Sequence, residues 1–127
     1  MGSDRSIPPV IDLGDKLASF SETWSPRIVA ELNGQQVKLA KLDGEFVWHR
    51  HEAEDELFLV VAGRLRMRFR GGDAVLGPGQ MIVVPAGVEH LPVADDGECH
   101  VLLFEPATTL NTGDVRNERT VEDLERI

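Results

Sequence analysis

The clearest regularity in the chain is the alternation of apolar and polar residues in short segments. In residues 64–70 three apolar side chains, Leu65, Met67 and Phe69, alternate strictly with four arginines. Side chains two positions apart in a strand project from the same face, so this segment is predicted to be a half-buried strand with its charged side in water. Pairs of residues that favour tight turns separate such segments, at Asn33-Gly34, Asp43-Gly44, Ala62-Gly63, Gly71-Gly72, Gly77-Pro78-Gly79, Ala86-Gly87 and Asp96-Gly97.

Short strands divided by turns at this spacing are typical of an all-β sandwich or barrel. The pattern predicts strands at residues 27–32, 36–42, 46–51, 56–62, 64–70, 81–84 and 101–104. It also predicts a short N-terminal helix over residues 12–20, because Leu13, Leu17 and Phe20 recur at helical spacing and Asp12 suits the N-cap.

The length and charge of the chain narrow the classes of protein. Its 127 residues suit one domain, with a barrel at about residues 24–108, an N-terminal arm at 1–23 and a polar tail at 109–127. The 13 basic residues against 22 acidic ones give a net charge of −9. Nucleic acid and anionic membrane surfaces both require clustered Lys and Arg, so we expect neither as a partner.

Two further features bear on location. The apolar runs, such as residues 57–62, are far shorter than the roughly 20 residues that a membrane-spanning helix needs. The single cysteine, Cys99, has no partner for an internal disulfide, and nothing in the sequence points to an oxidising compartment. We therefore expect a cytoplasmic protein.

Three of the four histidines fall in two compact arrangements. His49 and His51 lie two positions apart, so they point from one face of a strand. Glu56 is the first residue of the next predicted strand, which brings its carboxylate beside the two histidines, and His90 lies in another hairpin. Three imidazoles and one carboxylate suit a divalent transition metal, and the carboxylate favours metals that accept octahedral coordination.

These residues resemble the two sequence motifs of the cupin family. The first motif is a glycine, HxH, a glutamate and a second glycine, here Gly44, His49, His51, Glu56 and Gly63. The second is a glycine, PxG and a histidine, here Gly79, Pro85, Gly87 and His90. Two departures occur: four residues rather than five separate Gly44 from His49, and Ala94 stands where a polar residue often closes the second motif. The segment from Pro106 to Asp114 also resembles the ending of a group of small bacterial cupins.

The resemblance implies a double-stranded β-helix, or jelly-roll barrel, that holds one metal ion (Fe, Mn, Ni, Zn or Co) on His49, His51, Glu56 and His90. Such an ion would keep positions open for a small-molecule ligand, so we expect a metal-dependent enzyme. A dioxygenase-like oxidoreductase is preferred, and an isomerase or lyase is the next choice. A non-catalytic module that binds a small molecule or metal is the alternative, and a homodimer is expected. The sequence identifies no catalytic residue beyond the metal ligands.

Other side chains receive structural interpretations. We expect His100 to be a core or metal-supporting histidine rather than a ligand, and Cys99 to be a small buried apolar residue. Phe46 and Trp48 are predicted to face away from the metal, where they could pack against a second subunit. The four arginines of residues 64–70 are predicted to form a solvated outer face.

Overall fold

The structure is a computed structural model that describes residues 7–127, so the first six residues of the predicted N-terminal arm lie outside the described residues. The described chain contains one helix, α1 (Leu13–Ala18), and eight strands. The strands are β1 (Arg27–Leu32), β2 (Gln35–Glu45), β3 (Glu56–Ala62), β4 (Leu65–Phe69), β5 (Gly72–Leu76), β6 (Met81–Val84), β7 (His90–Pro106) and β8 (Glu125–Arg126). No helix within residues 7–127 is long and apolar enough to cross a membrane.

The strands form a jelly-roll barrel, as the sequence predicted. Hydrogen-bonded neighbours follow the order β5-β4-β7-β2-β1-β8, and β3 pairs with both β6 and β7. The long strand β7 belongs to both parts of the barrel, because its first residues pair with β4 and its last residues lie between β2 and β3. This sharing places His90, at the start of β7, near the first residue of β3.

Two of the predicted turns do not separate strands. Asp43-Gly44 lies within β2, and Asp96-Gly97 lies within β7. The pairing register slips between them, since Leu42 pairs with Cys99 but Gly44 pairs with Ala94. The extra residues of β7 form an exposed bulge in which Gly97 has a φ of 82°. Such a bulge lets a strand bend around a barrel without ending, which is why a turn-forming pair occurs inside it.

Apolar residues pack on both faces of β2. The inner face contributes Ala40 and Leu42 to the main core, which also includes Phe58, Val60, Leu65, Met67, Leu76, Val84, Val101 and Leu103. The outer face carries Leu39, which is covered by Leu17 and Phe20 from the α1 region. The helix begins where predicted, because the Asp12 side chain accepts a hydrogen bond from the Asp15 N–H at 2.9 Å.

The predicted strand at residues 46–51 is wrong. This segment has no regular ladder, and its one strand-like feature is an isolated bridge between His49 and His90. The backbone N–H of each residue donates to the carbonyl of the other, at 3.0 and 2.9 Å. The segment is therefore fixed to the start of β7 at His49, and the Phe46 N–H also donates to the Pro92 carbonyl at 3.1 Å. Its side chains do not follow strict alternation.

Candidate metal centre

The four residues predicted as metal ligands lie together inside the barrel. His49 and His51 come from the irregular segment before β3, Glu56 is the first residue of β3, and His90 is the first residue of β7. All four are at most 4% exposed, and one ligand atom from each lies within 4.8 Å of the other three. The backbone bridge between His49 and His90 holds two of the imidazoles beside one another, with ring centroids 4.3 Å apart.

Several polar atoms of this group have no hydrogen bond to any residue of the described chain. Nε2 of His51 and Nε2 of His90 lie 3.1 and 3.3 Å from Oε1 of Glu56, but none of these three atoms is hydrogen-bonded within residues 7–127. Buried polar atoms without a partner cost about 1–3 kcal/mol each, so they are rare in native proteins. A cation among them would satisfy all three.

Backbone contacts fix the orientation of two rings. Nδ1 of His49 lies 2.9 Å from the Val47 carbonyl, and Nδ1 of His90 lies 2.9 Å from the Val88 carbonyl. A carbonyl accepts only from an N–H, so Nδ1 carries the proton and Nε2 keeps its lone pair in each neutral ring. Burial, with a smaller effect of His90, lowers the pKa of His49 from 6.5 to about 4. At neutral pH His49 is therefore uncharged, as a metal ligand must be.

A second carboxyl group and a lysine lie behind Glu56. Lys38 Nζ is 3.0 Å from Glu105 Oε2, and both side chains are almost fully buried. Burial raises the pKa of Glu105 well above its usual value, and the adjacent Glu56 carboxylate raises it further. Burial also acts to raise the pKa of Glu56, but the adjacent imidazoles, His51 foremost, outweigh it and hold that pKa below its usual range. Glu56 is thus the ionised member of the carboxyl pair.

The four ligand atoms fit a transition metal ion. Metal–nitrogen and metal–oxygen bonds are about 2.0–2.2 Å long, so ligands on opposite sides of an ion are roughly 4 Å apart. The observed limit of 4.8 Å leaves room for one ion after a small contraction. Three neutral nitrogen donors and one carboxylate could bind several divalent metals, and this donor set does not select among them.

A small cavity of about 40 Å³ adjoins the group. Its lining is mainly apolar, and His49 and Glu56 reach it from the candidate metal centre. The apolar lining residues are Trp24, Pro26, Ala40, Leu42, Phe46, Phe58, Pro92, Val101 and Leu103. Its other polar side chains are those of Lys38, Glu105 and Asn111. The cavity thus offers a largely apolar space beside a cluster of potential metal ligands.

The polar tail packs against the histidine segment. Asp114 Oδ1 accepts a hydrogen bond from the Arg50 N–H at 2.9 Å, and the Asp114 N–H donates to the Arg50 carbonyl at 3.0 Å. Gly113, with a φ of 58°, lies so close to this backbone that an added Cβ would stand 2.9 Å from the Arg50 carbonyl carbon and 3.0 Å from His49 Cδ2. The tail therefore holds the residue between the two histidines.

The other sequence predictions have mixed outcomes. Phe46 does not face away from the candidate centre: its ring lies 5.4 Å from that of His49 and lines the cavity. The reason is that residues 46–51 are not a regular strand. Trp48 does lie outside, where the Arg70 guanidinium stacks on it at 3.8 Å. His100 is not a core residue, because it lies half-buried on the outer side and contacts Glu98 at 2.7 Å.

Two structural predictions are confirmed. Cys99 is fully buried in the main core, and burial raises the pKa of its thiol to about 11, so it is not a reactive thiolate at neutral pH. The arginines of β4 lie on the outer face and pair with carboxylates there: Arg66 contacts Asp95 at 2.9 Å and Arg68 contacts Asp73 at 3.6 Å.

The sequence reasoning missed the Lys38–Glu105 pair and the role of the tail. The pair could have been found from the sequence. Lys38 lies on the same face of its strand as the inward-facing Ala40 and Leu42, and Glu105 lies on the same face as Val101 and Leu103. A lysine and a glutamate at inward positions of adjacent strands predict a buried contact between the two side chains. Gly113 and Asp114 had no such signal, because the residue that they contact, Arg50, lies more than 60 positions earlier in the chain.

Known proteins share this fold and sequence pattern. A family model described as a cupin domain matches residues 35–105. A cupin-2 domain containing protein from Shewanella frigidimarina is 47% identical, with a TM-score of 0.75 over 76% of this chain and 94% of that one. Protein NMB1881 from Neisseria meningitidis is 33% identical, with a TM-score of 0.71 over 78% of this chain and all of the other.

A curated relative, the uncharacterized protein YdbB of Bacillus subtilis, is 35% identical over 80 residues. That match covers 62% of this chain and 65% of YdbB, a little under two thirds of the relative's length. The family model, the similar structures and the two motifs agree with the barrel described above. The chain belongs to the cupin family.

Proposed function

We propose that the protein is a metal-dependent enzyme that oxidises a small, largely apolar molecule which chelates the metal through two oxygen atoms. The observation that carries this proposal is the group formed by His49, His51, Glu56 and His90. Its ligand atoms lie within 4.8 Å of one another, three of them lack a hydrogen bond, and the group opens on a cavity.

The number of ligands supports a role beyond bracing the barrel. Four protein ligands leave two positions of an octahedral ion for a substrate or O₂, whereas structural metal sites are usually closed by protein. When bound, a divalent transition metal would supply Lewis-acid polarisation of the chelating oxygens and, as ferrous iron, the capacity to activate O₂. The chain itself would hold His49 and His90 as neutral ligands through the carbonyls of Val47 and Val88.

The lining of the cavity supports an apolar substrate. Phe46, Phe58 and Leu42 exclude water and offer dispersion contacts, but few groups there could bind a molecule with many hydroxyls. The Lys38 ammonium group is already paired with Glu105. A substrate such as a diketone or a catechol suits this lining better than a sugar, which would leave polar groups unpaired. We therefore favour dioxygenase-like oxidation over isomerase or lyase chemistry.

One observation favours a second candidate, a non-catalytic module that binds a metal or small molecule. The cavity of about 40 Å³ is small, and the tail packs against the histidine segment beside it. A chelating substrate would require side chains of the lining to move. A protein that only holds the ion would not need that movement.

Oxygen uptake by metal-loaded protein distinguishes the two candidates. The protein is loaded separately with Fe(II), Mn(II), Co(II), Ni(II) or Zn(II), and O₂ consumption is recorded with diketones, catechols and thiols. Uptake that requires both Fe(II) and a chelating substrate, and that His51→Ala abolishes, would support the dioxygenase. Binding of metal and chelator without turnover for any metal would support the binding module. Protein that retains no metal would contradict the dioxygenase and a metal-binding role of the module.

A further inference from the structure

The tail places one arginine, Arg119, against two aromatic residues that line the cavity. Its guanidinium carbon lies 5.3 Å from the centre of the Trp24 ring and 5.8 Å from that of the Phe46 ring. These two rings are stacked at 4.6 Å and line the cavity. A third lining residue, Asn111, donates from Nδ2 to the Arg119 carbonyl at 2.7 Å. Arg119 thus contacts three residues of the lining.

The position of this guanidinium is fixed by several contacts. The Arg119 N–H donates to Asn117 Oδ1 at 2.8 Å, and Nη1 donates to the Glu45 carbonyl at 3.0 Å. The aromatic pair adds cation–π attraction, which holds the flat group against the rings. An arginine held in this way loses little further conformational freedom when it binds a ligand.

Arg119 differs from the other described arginines in its charge environment. Eight of the nine arginines within residues 7–127 have a carboxylate within 4.0 Å, the exception being Arg119. The Arg119 side chain donates to one acceptor among the described residues, the uncharged backbone carbonyl of Glu45. Most of its five N–H donors are therefore free within residues 7–127. In a chain of net charge −9, this is a cation beside the aromatic lining of the cavity that has no carboxylate of residues 7–127 within 4.0 Å.

We propose that Arg119 is a specificity-determining residue that binds a carboxylate carried by the substrate at the end away from the metal. A guanidinium presents paired donors that match a carboxylate, which makes this contact short and selective for that geometry. The Phe46 ring centre is 5.8 Å from the Arg119 guanidinium carbon and 5.4 Å from the His49 ring centre, so at most about 11 Å separates the guanidinium from the His49 ring. One small molecule spans that distance.

This inference rests on the proposed function, because it assigns a second contact to the same chelated molecule. Two probes that share a chelating end separate the two ideas. The first is 3,4-dihydroxybenzoate, which carries a carboxylate on the side of the ring opposite its two hydroxyls. The second is 3,4-dihydroxybenzamide, which has the same shape without the charge. Their dissociation constants are measured by calorimetry on the zinc-loaded full chain, since zinc avoids oxidation of the catechols.

We expect the wild-type protein to bind the benzoate at least about tenfold more tightly than the benzamide, as a charge-assisted contact requires. Arg119→Met should remove this preference while leaving benzamide binding and metal content unchanged, and Arg119→Lys should keep part of it. The matched control is Arg116→Met, since Arg116 lies in the same tail but pairs with Glu122 at 2.9 Å. That variant should keep the full preference.

Each other result overturns a defined part of the reasoning. Equal binding of both probes by the wild type, or an undiminished preference in Arg119→Met, would overturn the role of Arg119 and leave metal chelation intact. Failure of both probes to bind the zinc-loaded wild type would overturn the chelating site itself, and the inference with it. An unfolding midpoint measured for each variant identifies any general loss of structure, and Arg119→Lys preserves the test if Arg119→Met is destabilised.

Discussion

Gly113 offers a direct test of whether the tail positions the candidate metal ligands. We expect Gly113→Ala to weaken metal binding, although no atom of Gly113 would touch the ion. An added Cβ would collide with the Arg50 carbonyl oxygen and stand 2.9 Å from the carbonyl carbon. Ordinary contacts of a Cβ begin near 3.4 Å, so the tail or the Arg50 backbone must move by at least about 0.5 Å. Arg50 lies between His49 and His51, so both ligands would move with it.

The expected loss of stability in Gly113→Ala is the sum of two separate costs. A residue with a Cβ in the left-handed region costs roughly 1–2 kcal/mol. Forced overpacking adds typically 1–3 kcal/mol. Metal ligands must be held within about 0.5 Å of their productive positions, and loss of a group that supports the ligands lowers metal affinity by about 10–100-fold. Gly34→Ala is the matched control, since Gly34 also has a positive φ, of 77°, but an added Cβ there would meet no atom within 4 Å.

The assays are urea unfolding of the metal-free proteins and metal titration against a competing chelator. Gly34→Ala should lose about 1–2 kcal/mol of unfolding free energy and keep wild-type metal affinity. Gly113→Ala should lose more stability than the control and bind metal at least about tenfold more weakly. If the two variants match in stability and both keep wild-type affinity, the tail does not position the histidines and the reasoning fails.

Three further predictions follow from the buried groups and the strand edges. In the folded protein His49 has a pKa of about 4, whereas in the unfolded chain it protonates near 6.5. The metal-free protein should therefore lose at most about 3 kcal/mol of unfolding free energy as the pH falls from 6.5 to 4. Urea unfolding at several pH values should show this loss, reduced in His49→Gln, and a flat profile would contradict the burial argument. Lys38→Met removes the partner of buried Glu105 and should lower the free energy of unfolding by about 1–3 kcal/mol, measured by thermal unfolding. The double variant Lys38→Met/Glu105→Gln should recover part of this loss, and an unchanged midpoint in Lys38→Met would count against the pair. The homodimer remains a prediction for light scattering: among the described strands β6 pairs only with β3, and it exposes Met81 and Val83, so Met81→Lys should weaken the dimer. A monomeric wild type would refute the prediction.

Much of the barrel could be predicted because its strands alternate strictly. In residues 64–70 every second side chain is apolar, and the structure buries Leu65 and Met67 while their arginine neighbours face outward. The Asn33-Gly34 hairpin was also predictable, since both residues adopt positive φ, of 51° and 77°. The candidate ligand set followed from the resemblance to the two cupin motifs, whose three histidines and one glutamate the barrel brings together.

Alternation failed where a local backbone is set by distant contacts. Phe46 points into the cavity because its segment is fixed by the bridge to His90 and by the tail, neither of which is visible in neighbouring residues. The pair Asp96-Gly97 suggested a turn because a bulge uses the same residues as a turn. The tail has no apolar periodicity, and its order comes from polar contacts such as that of Asn111 with Arg119.

The most direct test of the central claim is the metal content of the purified protein and of two histidine variants. We predict about one equivalent of a divalent transition metal in the wild type. His51→Ala should lose it, because His51 would contribute one of the four ligands, whereas His100→Ala should keep it, because His100 lies on the outer side with Glu98. Full occupancy in His51→Ala, or a wild-type protein that binds no metal when supplied with it, would contradict the account.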